Sequence, residues 1–497
     1  MRLLAVLVAF LPFVILELGL RQFNDADLQG VDRDPYVGLH QLRPLFVLNA
    51  ENNRWEIPPQ RYNFFRPESF PATKPPDTRR IFVLGGSTVQ GRPYATETAF
   101  STWLRLRLES ADMDTNFEVI NCGGVSYASY RVAKILDEVL LRDPDAVVLY
   151  TGHNEFLEDR TYAHVRDMGV AARWATTVGS KLHTVRWLKS FAKGKTDDTN
   201  LPTALSTEVN AKLDHPGGLN SYQRDPIWRL GVEEHFRAKL QQMVRTTKQH
   251  NIPLILCVPA SDLVNAPPIK IARRNDWSKS EQVDFDAAWS IASDAESKAD
   301  KRINAARECL NIDAEHAGAN YVLGRLLFDH GDSESARKHL IAARDADVCP
   351  LRAPTSIVET TRLVAEQNNV LLIDTPKLLD ERNVQGDPVP DQISDPNRFV
   401  DHLHPSIAGH QKIAAALTGQ FQDLGWIKLD QESEKRYEIE SQRHMRELGE
   451  AYFVRGKQRL EGLRLWASGR AGQLATDVVG DDHEAPSGAI QSVQNKE

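Results

Sequence analysis

Cysteine is scarce in this chain: four residues in 497, Cys122, Cys257, Cys309 and Cys349, lie far apart and form no CxxC pair. That excludes a disulfide scaffold and a zinc ribbon, both of which need closely repeated cysteines. One bridge, Cys309 to Cys349, is the single pairing expected, on condition that their helices are neighbours. Positive charge is also in deficit, with 60 basic against 68 acidic side chains and a formal charge of -8. No broad electrostatic footprint for nucleic acid exists, and no nucleic-acid partner is expected. With 41% apolar and 26% charged residues the composition excludes a disordered, collagen-like or polytopic membrane protein. The length suffices for one large or two ordinary domains with true cores.

One long apolar run is present, at residues 3–20, broken only by Glu17 among charged residues and flanked by Arg2 and Arg21. Its length is close to what a helix needs to cross a bilayer, so residues 1–22 are expected to form a membrane anchor. No small-x-small cleavage site follows, since the chain runs Leu18, Gly19, Leu20, Arg21; secretion after signal cleavage is the alternative. With Arg2 on the cytoplasmic side, the rest of this single-pass protein would face outward.

Residues 23–80 are polar and proline-rich without sustained periodicity and read as a spacer. Short apolar runs then alternate with helical patterns. The runs lie at 81–84, 117–120, 146–150, 253–258 and 370–373, and the helices at 100–108, 130–141 and 228–249. Such alternation implies βαβ units and a parallel sheet with helices on both faces, here in two parts, 81–283 and 351–425. The first interruption, 157–225, carries Arg173, Lys181, Arg186, Lys189, Lys193 and Lys195 and reads as a solvated loop, with a lid or substrate wall as the alternative. The second, 284–350, is helical in pattern. Leu323, Gly324, Ala336, Leu340 and Ala343 stand at spacings that resemble a tetratricopeptide repeat, with 302–313 as the closing helix of a preceding one. One and a half repeats cannot stand alone, so this insertion should pack on the sheet domain and offer a surface to a protein partner; an ordinary helical hairpin is the bland alternative. A charged helix from Asp430 to Trp466 is expected within residues 426–470, followed by a disordered tail, 471–497.

The chemistry-bearing residues cluster where strands end. The first strand runs into Gly85-Gly86-Ser87-Thr88, the second into Asn121-Cys122-Gly123-Gly124-Val125-Ser126, and the third into Thr151-Gly152-His153-Asn154-Glu155. A serine after two glycines projects its hydroxyl into the crevice at the carboxyl ends of the strands. Free backbone N–H groups and the Asn154 amide could hold a developing oxyanion. Later, Asp401-His402-Leu403-His404-Pro405 precedes a helix, and an aspartate three residues before a histidine can orient one imidazole nitrogen while the other faces the serine. His402 is a rival base, and a metal site of His153, His402 and His404 is a weaker reading for want of a carboxylate set.

These four blocks, in this order, resemble the SGNH, or GDSL-type, serine hydrolase family. The resemblance covers roughly residues 79–425, the helical insertion excluded. It implies a three-layer α/β/α flavodoxin-like domain with Ser87 as nucleophile, His404 as base and Asp401 as orienter. It also implies an oxyanion hole from the Ser87 N–H, a second-block N–H (Gly124 or Ser126) and the Asn154 side chain. Ser126 stands where the family usually has glycine, and Glu155 replaces the common aspartate. The implied activity is hydrolysis of an O-acyl ester, on a small molecule or an acylated glycan, with no metal or cofactor. Acyl transfer by the same triad, and a non-catalytic scaffold docking partners through the insertion, are the rival readings.

Overall fold

In the computed structural model the described residues are 32–34, 36–39, 43–162, 203–215, 217–274, 276–379 and 398–468. The expected anchor at 3–20, the basic residues from Arg173 to Lys195 and the tail from 471 lie outside them. No helix among the described residues is long and apolar enough to cross a membrane.

The chain divides into two compact units. The smaller takes Met1–Arg43 and Glu158–Asn210, and holds a three-stranded sheet of Asp32–Arg33, Val37–Leu39 and Thr203–Leu205. The larger, Pro44–Leu157 with Ala211–Glu497, contains every element discussed below.

All five apolar runs are strands of one sheet: β1 (Thr78–Gly85), β2 (Asn116–Gly123), β3 (Ala146–Tyr150), β4 (Leu254–Cys257) and β5 (Leu371–Ile373). Their order is β5-β4-β3-β1-β2 and every pairing is parallel. This is the flavodoxin-like order, whose switch point lies between β1 and β3. Gly85 at the end of β1 is in register with Gly123 of β2 and Tyr150 of β3, so three loops leave the sheet at one level.

The helices are α1 (Ser87–Gln90), α2 (Phe100–Ala111), α3 (Ser129–Val139), α4 (Pro226–Gln249), α5 (Lys279–Ser293), α6 (Ala299–Ile312), α7 (Ala317–Asp329), α8 (Ser333–Asp345), α9 (Thr355–Asn368), α10 (Ile407–Asp423), α11 (Gln431–Glu447) and α12 (Glu450–Ala467). Helices α2, α10 and α11 pack together on one face, and α3, α4 and α9 on the other. β3 is buried at every position because both faces are covered, which is why it reads as an unbroken apolar run. Ile81, Val83, Val148 and Tyr150 meet Trp103 of α2 and Leu417 and Phe421 of α10 in the main core. Asp225 accepts from the Ile227 and Trp228 amides, and Pro226 has no N–H to satisfy; together they start α4.

Three sequence expectations change. Residues 44–76 are not a bare spacer: Val47–Asn49, Arg54–Glu56 and Ser69–Pro71 form an antiparallel sheet, too short to show a period of two. Helix α11 ends at Glu447, and the expected single helix restarts as α12 behind Gly449, a residue that weakens helix interiors by about 1 kcal/mol. All four cysteines are free and buried. Cys309 packs on α6 against Phe285, Ala288 and Ala319, whereas Cys349 follows α8, its amide held by Asp347 at 3.0 Å. The insertion holds four helices, α5 to α8. Gly324 of α7 lies so close to Leu340 of α8 that an added Cβ would stand 2.8 Å from its Cγ. The insertion packs on the loop after β4, where Tyr321 donates to Val264 O at 2.8 Å and Asp347 accepts from the Ile269 and Lys270 amides.

Candidate active site

Ser87 opens α1 directly after β1, at the switch point. The two glycines before it are demanded by space. A Cβ on Gly85 would run into the carbonyl of Tyr150, and one on Gly86 would stand 2.5 Å from Asn154 Nδ2. The Ser87 hydroxyl is therefore presented on a tight strand-to-helix turn with its own N–H at a helix N-terminus, where no backbone carbonyl is left to accept it.

Asp401 and His404 come from a closed loop. Val400 N–H donates to His404 O at 2.9 Å, and Ser406 N–H to Arg398 O at 2.7 Å. Ser406 then caps α10, its hydroxyl accepting from Gly409 N at 3.2 Å. A side chain at Gly409 would meet Arg398 O at 2.5 Å. Within this loop Asp401 Oδ1 accepts the Leu403 and His404 amides at 2.9 and 2.8 Å. Its other oxygen, Oδ2, lies 2.7 Å from His404 Nδ1, and His404 Nε2 lies 2.7 Å from Ser87 Oγ. Because a carboxylate only accepts, Nδ1 carries the proton and Nε2 is left to accept from the serine. Burial opposes ionisation of Asp401, but the facing His404 and His402 and the bonds from His404 outweigh it, holding the carboxyl well below its usual range.

The other histidines do other work. His402 Nδ1 is 3.8 Å from Asp401 Oδ1, and its carbonyl accepts from Asp262 N. His404, not His402, meets Ser87. His153 Nδ1 accepts from Ala353 N, and His410 Nδ1 from Phe100 N, each at 3.2 Å. Burial lowers His402 to about 4 and His153 and His410 to about 3, so all three are neutral at physiological pH. Among the described residues no group of His, Cys, Asp or Glu is arranged to hold a metal ion.

The geometry separates the two second-block amides. Gly124 N–H donates to Gly85 O at 3.0 Å, so it is not available to an oxyanion. Gly124 is glycine for packing, since a Cβ there would meet Tyr127 and Phe65 at 2.7 and 2.8 Å. Tyr127 N–H closes a turn onto Gly124 O, with Ser126 at φ 63° in the left-handed region that turns of this kind require. Ser126, not Gly124, is the second-block candidate.

Asn154 Nδ2 donates one hydrogen to Tyr127 O at 3.0 Å, next to this turn, and keeps a second. Glu155 was legible only as a departure from a family pattern. In the fold its carboxylate takes the Ser129 N–H and Oγ at 2.8 and 2.9 Å, capping α3, whose preceding residue, Ala128, has no side-chain acceptor. Asn154 and Glu155 thus clamp residues 127–129 and fix the second block against the third.

No family model matches the chain, and no curated protein matches its sequence. Among solved structures the chain is similar to a lipase/acylhydrolase from Enterococcus faecalis, at 14% identity and a TM-score of 0.31, covering 71% of this chain and 99% of that one. It is similar also to a GDSL-like lipase from Bacteroides thetaiotaomicron VPI-5482, at 10% identity and a TM-score of 0.29, covering 71% and 93%. A third is an acetylxylan esterase from Geobacillus stearothermophilus, at 13% identity and a TM-score of 0.30, covering 71% and 97%.

Proposed function

We propose that the chain is a serine esterase of the SGNH type that hydrolyses an O-acyl ester through an acyl-enzyme. The observation that carries this reading is the continuous hydrogen-bonded line from Ser87 Oγ through His404 to Asp401, with 2.7 Å at both links. In the first step Ser87 Oγ attacks the ester carbonyl while His404 Nε2 takes its proton. The imidazolium so formed is stabilised by Asp401, which stays ionised because its two oxygens are fully used by the histidine and by two backbone amides. The tetrahedral oxyanion is held by Ser87 N–H, Ser126 N–H and the second hydrogen of Asn154 Nδ2. His404 then returns the proton to the leaving alcohol, and water, deprotonated by the same nitrogen, releases the acid and restores the serine.

A serine-directed fluorophosphonate tests this directly. It should label full-length protein once, at Ser87 by peptide mapping, and abolish turnover of an aryl acetate. Undiminished turnover after full treatment would overturn the nucleophile.

The localisation proposal rests on the run at residues 3–20 alone. Full-length protein should stay with the membrane fraction after an alkaline wash, while a chain starting at Asn24 should be soluble. Recovery of full-length chain in the wash supernatant would overturn the anchor.

A further inference from the structure

The helical insertion has a face for which the hydrolysis chemistry has no use. Helix α5 seats itself on its neighbours through Phe285, Ala288 and Ala292, which are buried with Ile303, Ala306 and Cys309 of α6 and with Ala319 and Leu323 of α7. One apolar stripe is what a surface helix needs for that. α5 carries a second. Val283, Ala287 and Ile291 stand four residues apart on its outer side, with Val283 67% and Ile291 44% exposed. Single exposed apolar side chains are ordinary, but this stripe runs into a groove.

The groove lies between α5 and α6 and has a volume of about 490 Å³, room for several side chains. Ala287, Ala288 and Ile291 line it from α5 and Ile312 from α6, with Asp284 on one wall and Glu308 on the other. Among the described residues no lysine or arginine lines it. The two carboxylates are uncompensated. α5 holds three acids, of which two are matched, Glu281 by Arg274 at 2.6 Å and Asp286 by Arg273 at 2.7 Å. Asp284 has only the Ser280 hydroxyl, at 3.5 Å, and neither it nor Glu308 forms an ion pair with the described residues. An apolar floor between unmatched carboxylates fits a row of apolar groups with positive charge beside them. A second copy of the same groove does not fit, since it would set Asp284 and Glu308 against their own counterparts in a chain of formal charge -8.

We propose that the groove between α5 and α6 docks a basic amphipathic helix of a partner protein, with the helix's apolar residues on Ala287, Ile291 and Ile312 and its lysines or arginines against Asp284 and Glu308. Such helix-in-groove recognition draws affinity from the apolar anchors, while the flanking charge sets register and rejects the wrong partner. None of these residues belongs to the line from Ser87 to Asp401, so the docking surface stands whether or not an ester is hydrolysed.

Fluorescence anisotropy with full-length protein tests it. The probes are a labelled leucine–lysine peptide of roughly 18 residues, long enough to turn helical, with leucines at helical spacing, and its leucine–glutamate counterpart. Wild type should bind the lysine peptide at least about tenfold more tightly than the glutamate peptide, and the difference should shrink as salt rises. Ile291→Ser should weaken the lysine peptide about tenfold, through the apolar contact it removes. Asp284→Lys combined with Glu308→Lys should reverse the preference between the two peptides. All three positions are exposed or line the open groove, and circular dichroism checks that the variants fold. Equal binding of the two peptides, no binding of either, or lysine-peptide binding unmoved by the groove variants overturns the proposal. Self-association of wild type in sedimentation velocity that Ile291→Ser abolishes would also overturn it, by giving the groove to a second copy of the chain.

Discussion

Replacing Ser87 by alanine is expected to lower the turnover of an aryl acetate on the order of a million-fold, because the covalent route is lost outright. Asn154→Ala should lose roughly a hundred- to a thousand-fold. The difference follows from what each residue supplies. In the proposed mechanism Ser87 Oγ forms the bond, and it is the hydroxyl that His404 Nε2 meets at 2.7 Å. In the same mechanism Asn154 is one of three donors, and the Ser87 and Ser126 amides remain when it is removed. Its truncation also frees Tyr127 O from a 3.0 Å bond. Part of the loss therefore comes from loosening the Gly124–Tyr127 turn that presents Ser126. The measurement is single-turnover acylation with both variants shown folded by circular dichroism. A folded Asn154→Ala protein with near wild-type acylation would remove Asn154 from the oxyanion hole.

The sheet was legible because its central strands are buried on both faces, and a run such as Ala146–Tyr150 cannot be mistaken for a half-exposed strand. The hydrogen-bonded line of Ser87, His404 and Asp401 was legible because its members sit in short local patterns whose geometry is set within a few residues: two glycines before Ser87, and a three-residue step from Asp401 to His404. What the sequence did not carry is whatever depends on contacts between distant segments. Gly124 and Ser126 look equally suited to an oxyanion hole until the Gly124 amide is found donating to Gly85, across the sheet edge from it. The capping role of Glu155 depends on Ser129, brought beside it by the β2 and β3 loops. The placing of α12 depends on the carbonyls of Tyr94 and Val400, which accept from Arg459 and Arg464 and lie hundreds of residues earlier in one case and dozens in the other. The antiparallel sheet in residues 44–76 escaped for another reason, its three-residue strands being shorter than any alternation.

Acidification below about pH 6.5 should destabilise the protein through buried imidazoles that stay neutral in the fold and take up protons on unfolding. The cause is the set of buried neutral imidazoles around the site. His153 and His410 are lowered to about 3 and His402 to about 4, in each case mainly by burial. In the unfolded chain each titrates near 6.5. Between these values the unfolded state binds protons that the folded state does not, so stability rises with pH and is lost as pH falls. Each group contributes about 1.36 kcal/mol per unit over that window; His316, lowered to about 4, acts in the same direction, while the Glu68 carboxyl, raised to about 8, and Asp347, raised to about 6, oppose them. At the low end Asp401, its carboxyl held below the usual range, adds a loss in the same direction as pH drops past about 3.8, the value at which an unfolded aspartate takes up its proton. A whole domain commonly has only about 5–15 kcal/mol to lose, so the titration of these groups is a large effect on that scale. Urea midpoints from pH 7 to pH 4.5 measure this. A variant that cannot titrate at position 410, His410→Asn, should lower the slope by about 1.4 kcal/mol per pH unit, its amide oxygen still placed to accept the Phe100 N–H. A slope unchanged by His410→Asn would show that this imidazole accepts a proton in the folded state.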